Sequence, residues 1–161
     1  MAAIGLFESP SQGKLSLDAV FADVVSFIQQ DPEQYYKLIV GTDSQKRDNG
    51  LYFVTAIVIH RRGQGARYYY VKKFQRSLVS LRQKIYYETS LSLAVASDIT
   101  EQMSRLPNLN LPVEIHLDVG EQGATRDLIR EVVGMVVGSG YHAKIKPESF
   151  GASSVADRYT K

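Results

Sequence analysis

Four acids stand where carboxylates are conspicuous: Asp43, Glu88, Asp118 and Asp157. Asp43 follows Lys37-Leu38-Ile39-Val40-Gly41-Thr42, whose β-branched pair and lack of helical period predict a buried strand, with Ser44-Gln45 turning the chain behind it. A carboxylate at the end of such a strand loses water and stays charged only against a cation or strong donors. An Asx-turn cap into Ser44-Gln45 is the plain structural alternative; metal binding is the stronger expectation. Asp118 closes the alternating segment Val113-Glu114-Ile115-His116-Leu117-Asp118-Val119-Gly120 in the same way. Glu88 falls among Leu81, Ile85, Val95, Ile99 and Met103 on one face of a long helical segment, and is the only carboxylate between Asn49 and Ser97. Acids prefer the solvated face, so this placement needs a partner, unless the helix turns far enough to give Glu88 water or Lys84. Asp157 lies at the boundary of the apolar face Ala152, Val155, Ala156 and Tyr159.

Composition narrows the chemistry these acids could do. The chain has no cysteine, which removes disulfides, thiolate zinc sites and cysteine nucleophiles together. Its three histidines, His60, His116 and His142, have no ligand-like spacing. What remains is carboxylate chemistry with magnesium or manganese. His116 alternates onto the Asp118 side of its strand and His142 begins another; either could relay a proton or simply pack.

The elements must then bring the acids together. The 161 residues are enough for one domain with a real core, and 44% hydrophobic with 22% charged content is ordinary for a globular chain. Residues 1–15 read as a flexible leader around Ser9-Pro10-Ser11-Gln12-Gly13, and 16–161 as one domain. A helix capped by Ser16 runs from Leu17 with Val20, Phe21, Val24, Val25 and Ile28 on one face, for packing on a sheet or, alternatively, for a homodimer. Three strands follow, the Asp43 strand, Leu51 to His60, and Arg67 to Phe74 as a lysine-guarded edge. Then come a helix from Ser80 to Arg105, the Asp118 strand, a helix from Thr125 to Val137, a strand from Tyr141 to Lys146, and a helix from Ala152 to Tyr159.

This order predicts an α/β fold. Strands separated by a helix pair in parallel through right-handed crossovers. With the first strand central, five strands take the order 3-2-1-4-5 with strand 2 antiparallel, and helices flank the sheet. The Asp43 and Asp118 strands become parallel neighbours, both acids at their carboxyl ends, where open α/β sheets have their crevice. Adjacent strands sit about 4.8 Å apart, so two such carboxylates can share one or two divalent ions. The ion also removes the repulsion that would otherwise raise a pKa. Glu88 from the long helix would be a third ligand and Asp157 a fourth.

The arrangement resembles the ribonuclease H-like superfamily. More narrowly, Gly41-Thr42-Asp43-Ser44-Gln45, Leu117-Asp118-Val119-Gly120, Lys144-Ile145-Lys146-Pro147 and Ala152-Ser153-Ser154-Val155-Ala156-Asp157 look like the bacterial YkuK-type ribonuclease H-like proteins. The resemblance implies a two-ion Mg2+ or Mn2+ site on Asp43, Glu88, Asp118 and Asp157, and a nuclease that hydrolyses phosphodiester bonds of RNA, RNA–DNA hybrid or structured DNA. A non-catalytic nucleic-acid-binding or protein-interaction module on the same fold is the alternative, kept open by a net charge of only +2 and by the less regular placing of Glu88 and Asp157. A phosphotransferase reading of Asp118-Val119-Gly120-Glu121-Gln122-Gly123 is set aside, because such enzymes close two domains on a nucleotide.

Substrate contacts are expected from Lys72, Lys73, Arg76, Arg82, Lys144 and Lys146, with Arg61, Arg62, Arg67 and Lys84, interleaved with Tyr68, Tyr69 and Tyr70 for base stacking. A solvated face and edge packing are the plain alternatives. Arg158 and Lys161 extend the second basic group near Asp157. The start of the chain has no basic region or long apolar run, and no stretch is long enough to span a membrane, which makes a cytoplasmic protein the expectation.

Overall fold

The structure, a computed structural model, describes residues 5–47, 50–63, 65–76 and 80–149. The elements are β1 (Phe7–Ser9), β2 (Gly13–Leu15), α1 (Leu17–Gln30), β3 (Tyr36–Arg47), β4 (Gly50–Arg61), β5 (Ala66–Gln75), α2 (Leu81–Ser104), β6 (Val113–His116), α3 (Ile129–Gly138), entered through a 3-10 turn at Arg126–Leu128, and β7 (His142–Lys144). One mixed sheet runs β2-β1-β5-β4-β3-β6-β7.

The expected five-strand order lies inside this sheet, with β3 central, antiparallel to β4 and parallel to β6. The sheet is nevertheless seven-stranded, because the segment expected to be a loose leader supplies two strands. Its Ser-Pro-Ser-Gln-Gly stretch is the turn of a β1–β2 hairpin: the Ser9 hydroxyl accepts from the Ser11 and Gln12 amides at 3.3 Å each, and Gly13 takes φ +75. Phe7 anchors it with no exposed surface. β1 meets β5 at Glu8↔Tyr70, where the Tyr70 hydroxyl donates to Glu8 Oε2 at 2.6 Å, so β5 is not the free edge its lysines suggested.

The second difference bears on the site. Ser44-Gln45 do not turn the chain; β3 runs on through Arg47 in register with β4, from Tyr36↔Arg61 to Arg47↔Gly50. Its parallel pairing with β6 stops much earlier, at Gly41↔His116. Asp43 therefore sits not at the end of its own strand but just past the point where its parallel neighbour leaves.

Helices cover one face. Ser16 Oγ accepts from the Ala19 amide at 3.1 Å and Ser80 Oγ from the Gln83 amide at 3.1 Å, capping α1 and α2 as their sequences predict. Val20, Phe21, Val24 and Phe27 of α1 pack with Ile85, Val95, Ile99 and Met103 of α2, Val132 and Val136 of α3, and Leu38, Val40, Ile57 and Ile59 of the sheet. The apolar face of α1 thus packs within the chain, with Val25 and Ile28 partly buried at its border. The other sheet face carries a small cluster, Ile39, Ala56 and Val58 with Tyr68 against it. Among the described residues no helix is long and apolar enough to cross a membrane. The helix expected over Ala152–Tyr159, with Asp157, Arg158 and Lys161, lies outside the described residues.

Candidate metal centre

Each of Asp43, Glu88 and Asp118 offers a carboxylate oxygen, and these oxygens lie within 4.8 Å of one another. Three different elements deliver them. β3 carries Asp43 beyond its pairing with β6. The chain leaving β6 is held against the end of β7 by the Leu117 amide on the Lys144 carbonyl and the Lys146 amide on the Val119 carbonyl, both at 2.9 Å, which fixes Asp118 between them. Gly120 belongs to this device: a Cβ there would lie 3.1 Å from the Lys146 Cβ, and its amide donates to Thr125 Oγ1 at 3.0 Å.

Glu88 comes over the sheet from α2. The Ser44 hydroxyl donates to Glu88 Oε2 at 2.7 Å, and Lys84 Nζ stands 4.0 Å from the same oxygen. Below, the Thr42 hydroxyl bonds Ser92 at 2.8 Å and Thr55 at 3.0 Å, tying α2 to β3 and β4 inside the core. Sequence reasoning missed these hydroxyls. Ser44 passed as a turn residue and Thr42 as part of a strand, whereas both face the helix by strict alternation with Asp43.

The electrostatics of the centre disfavour the charged forms of Glu88 and Asp43. Glu88 is 4% exposed, and burial pushes its carboxyl up to about 8 despite the Ser44 hydroxyl and Lys84. Asp43 is pushed up to about 6 by burial and then by the neighbouring Asp118 charge. The Ser44 amide does bond Asp43 Oδ1 at 2.8 Å, as an Asx-type cap would, but that one donor does not offset the burial. Lys146 Nζ lies 2.8 Å from Asp118 Oδ1, and this bond holds the lysine above its ordinary value. Among the described residues, the three converging acids thus have Lys146 in contact and Lys84 at the limit of reach. The donor set is hard oxygen throughout, which fits magnesium or manganese and not a thiolate or imidazole metal.

The other expected residues divide. Lys146 reaches the centre, and Lys144 sits on β7 in register with His116. Lys72 shares a sheet row with Asp43 through Val54, two strands away, and Lys73 lies 5.6 Å from the Tyr87 ring. Arg76 is exposed just past β5. Arg82 is paired with Glu131 at 2.8 Å. The stacking expected of the three tyrosines is not what the structure supports: Tyr69 is fully buried and bonded to Asp23, Tyr70 is bonded to Glu8, and Tyr68 packs on the small cluster. Arg61 lies 4.1 Å from the Phe27 ring centre and Arg67 pairs with Asp23 at 3.2 Å, so both work in the fold. His116 is buried with Nε2 3.1 Å from Glu114 Oε1, and its Nδ1 has no partner among the described residues. Burial holds its pKa below the ordinary histidine value despite the Glu114 carboxylate.

A sequence profile of the Ribonuclease H-like family matches residues 19–161. The chain is also similar to a Bacillus subtilis (strain 168) protein carried under the description Uncharacterized protein YkuK, 38% identical over 173 aligned positions covering 100% of both chains.

Proposed function

Because the chain belongs to the ribonuclease H-like family, we propose that Asp43, Glu88 and Asp118 hold Mg2+ or Mn2+ and that the protein hydrolyses phosphodiester bonds of RNA, RNA–DNA hybrid or structured DNA. The observation that carries this reading is the convergence of three carboxylates from three elements, two of them pushed up by burial. Bound divalent ions supply activation of the attacking water and charge stabilisation at the leaving oxygen. The chain supplies the frame. Ser44 fixes the Glu88 carboxylate through its hydroxyl, and the β7 contacts fix Asp118. Lys146, at the rim, is placed to meet substrate phosphate once a cation takes over Asp118. Asp157 is proposed as a fourth ligand from the sequence resemblance alone.

The test is cleavage of labelled RNA, hybrid and branched DNA with manganese, comparing wild type with Asp43→Asn and Asp118→Asn. Loss of cleavage in both variants is expected; cleavage persisting in both would refute the assignment. A second reading has its own support. Lys146 already stands as a cation on Asp118, and if it keeps divalent ions out, the fold serves as a non-catalytic nucleic-acid-binding module. Calorimetry separates the two: manganese binding in wild type, lost in Asp43→Asn, supports the nuclease, whereas binding that emerges only in Lys146→Ala supports the module.

A further inference from the structure

Residues in register on antiparallel strands share a sheet face, as do residues two apart along one strand. Gln45, Tyr52 and Phe74 therefore form a row on the same face as Asp43, Val54 and Lys72, one step nearer the β3–β4 turn. Tyr52 and Phe74 touch, their ring centres 5.0 Å apart and planes tilted by 54°, yet each stays 39% exposed. Two contiguous, part-exposed aromatic rings offer a face on which a planar group can stack. The position of Phe74 is also built into the chain. A Cβ at Gly50 would lie 2.7 Å from Phe74 Cζ and 2.7 Å from the Gln75 carbonyl oxygen, so only glycine leaves room for that ring.

Charge of the right sign flanks the pair. Lys72 follows the alternation of Phe74 and Arg76 stands just past the end of β5; both are exposed and make no ion pair among the described residues. Tyr52 lies one strand across and two residues along from Asp43, roughly 8 Å between backbones. That is close enough for one extended strand to touch both places. Bases in a duplex are stacked on each other and present only their edges, whereas an unpaired base can lay its face on an aromatic ring.

We propose that Tyr52 and Phe74 are a stacking platform for unpaired bases, with Lys72 and Arg76 on the flanking phosphates, so that nucleic acid reaches the carboxylates as a single strand. This inference rests on the nuclease reading and narrows its substrate class. Recognition by stacking tolerates any base sequence, because every base has a π-face.

The test is fluorescence anisotropy with short labelled oligothymidylate and oligouridylate, against a hairpin duplex and a hybrid, in buffer with EDTA. Single strands are expected to bind more tightly than either duplex. Tyr52→Ala and Phe74→Ala should each weaken single-strand binding by roughly fivefold to a hundredfold. Tyr52→Leu and Phe74→Leu, which keep apolar packing but lack a π-face, should weaken it similarly, and Tyr52→Phe should restore it. Lys72→Ala should lower the salt dependence, by a slope of about 0.7 for one phosphate contact. Duplex binding as tight as single-strand binding, or leucine variants that bind as wild type, would overturn the platform. Because binding is read without metal, the two ideas fail separately. Platform-dependent binding without manganese-dependent cleavage sinks only the nuclease reading, and cleavage of blunt duplex unaffected by Tyr52→Leu sinks only the platform.

Discussion

Replacing Glu88 with glutamine isolates the electrostatic strain of the centre. The native carboxyl titrates near pH 8, while the same group in the unfolded chain titrates at 4.5. Between those values the native state keeps a proton that the unfolded state releases, so the native state binds more protons and stability falls as pH rises. The stabilising contribution is fully present below about pH 4.5 and is lost as pH rises through about 8. At about 1.4 kcal/mol per pH unit, the interval from 4.5 to about 8 sets a ceiling of about 5 kcal/mol. For a chain of this length 1 kcal/mol moves the melting temperature by roughly 2–4 °C, so the ceiling corresponds to a loss of about 10–20 °C. Glutamine is neutral, nearly isosteric, and can still accept from the Ser44 hydroxyl, so it removes the titration while keeping that bond.

Thermal melts in EDTA at about pH 5, 7 and 9 should therefore show wild type losing stability across the series, while Glu88→Gln loses only the part that Asp43, pushed up to about 6, contributes below pH 7, stays nearly level from pH 7 to 9, and is the more stable at pH 9. Manganese should rescue wild type most at high pH, where Glu88 and Asp43 have both lost their protons. Calorimetry in buffers of different ionisation enthalpy should find about one proton released on manganese binding near pH 7, where Glu88 is still mostly protonated, and almost none above about pH 9. Parallel pH profiles for wild type and Glu88→Gln would refute the reasoning, because they would mean that Glu88 ionises without electrostatic penalty.

Three further outcomes follow from the packing. Phe7→Ala should destabilise the protein by about 3–5 kcal/mol in urea unfolding, because its fully buried ring pins the hairpin of β1 and β2 to the core; an unchanged midpoint would restore the loose leader. Thr42→Val should remove about 1–3 kcal/mol by leaving the Ser92 and Thr55 hydroxyls short of a partner, and should lower manganese affinity if that network holds α2 in place. Arg61→Ala should lower the melting temperature, since its guanidinium bonds the Phe27 carbonyl at 2.9 Å and the Tyr36 hydroxyl at 3.0 Å. It should leave nucleic-acid binding unchanged, and weaker binding at constant stability would return Arg61 to the phosphate contacts.

What the sequence could and could not reveal divides along the range of the interactions involved. The caps at Ser16 and Ser80, the helical stripes of α1 and α2, and the alternation of β6 are set by neighbours a few residues apart, and so are legible in the chain itself. The convergence of Asp43, Glu88 and Asp118 was legible one step further on, because connection handedness leaves few ways to place a parallel neighbour beside β3. The β1–β2 hairpin was not legible: three-residue strands carry too little alternation to register, and the pair joins the sheet through Glu8↔Tyr70 across a long stretch of chain. The end of β3 was misplaced for a related reason. Ser44 to Arg47 are polar enough to pass for a turn, but a strand ends where its partner ends, and β4 pairs them all while β6 departs. The clearest case is the aromatics. Consecutive tyrosines at 68–70 alternate between sheet faces and cannot form one surface, whereas Tyr52 and Phe74, distant in the chain, become direct cross-strand partners through register. A run of rings in sequence therefore argues against a common stacking surface on a strand, and the surface has to be sought among residues that only pairing brings together.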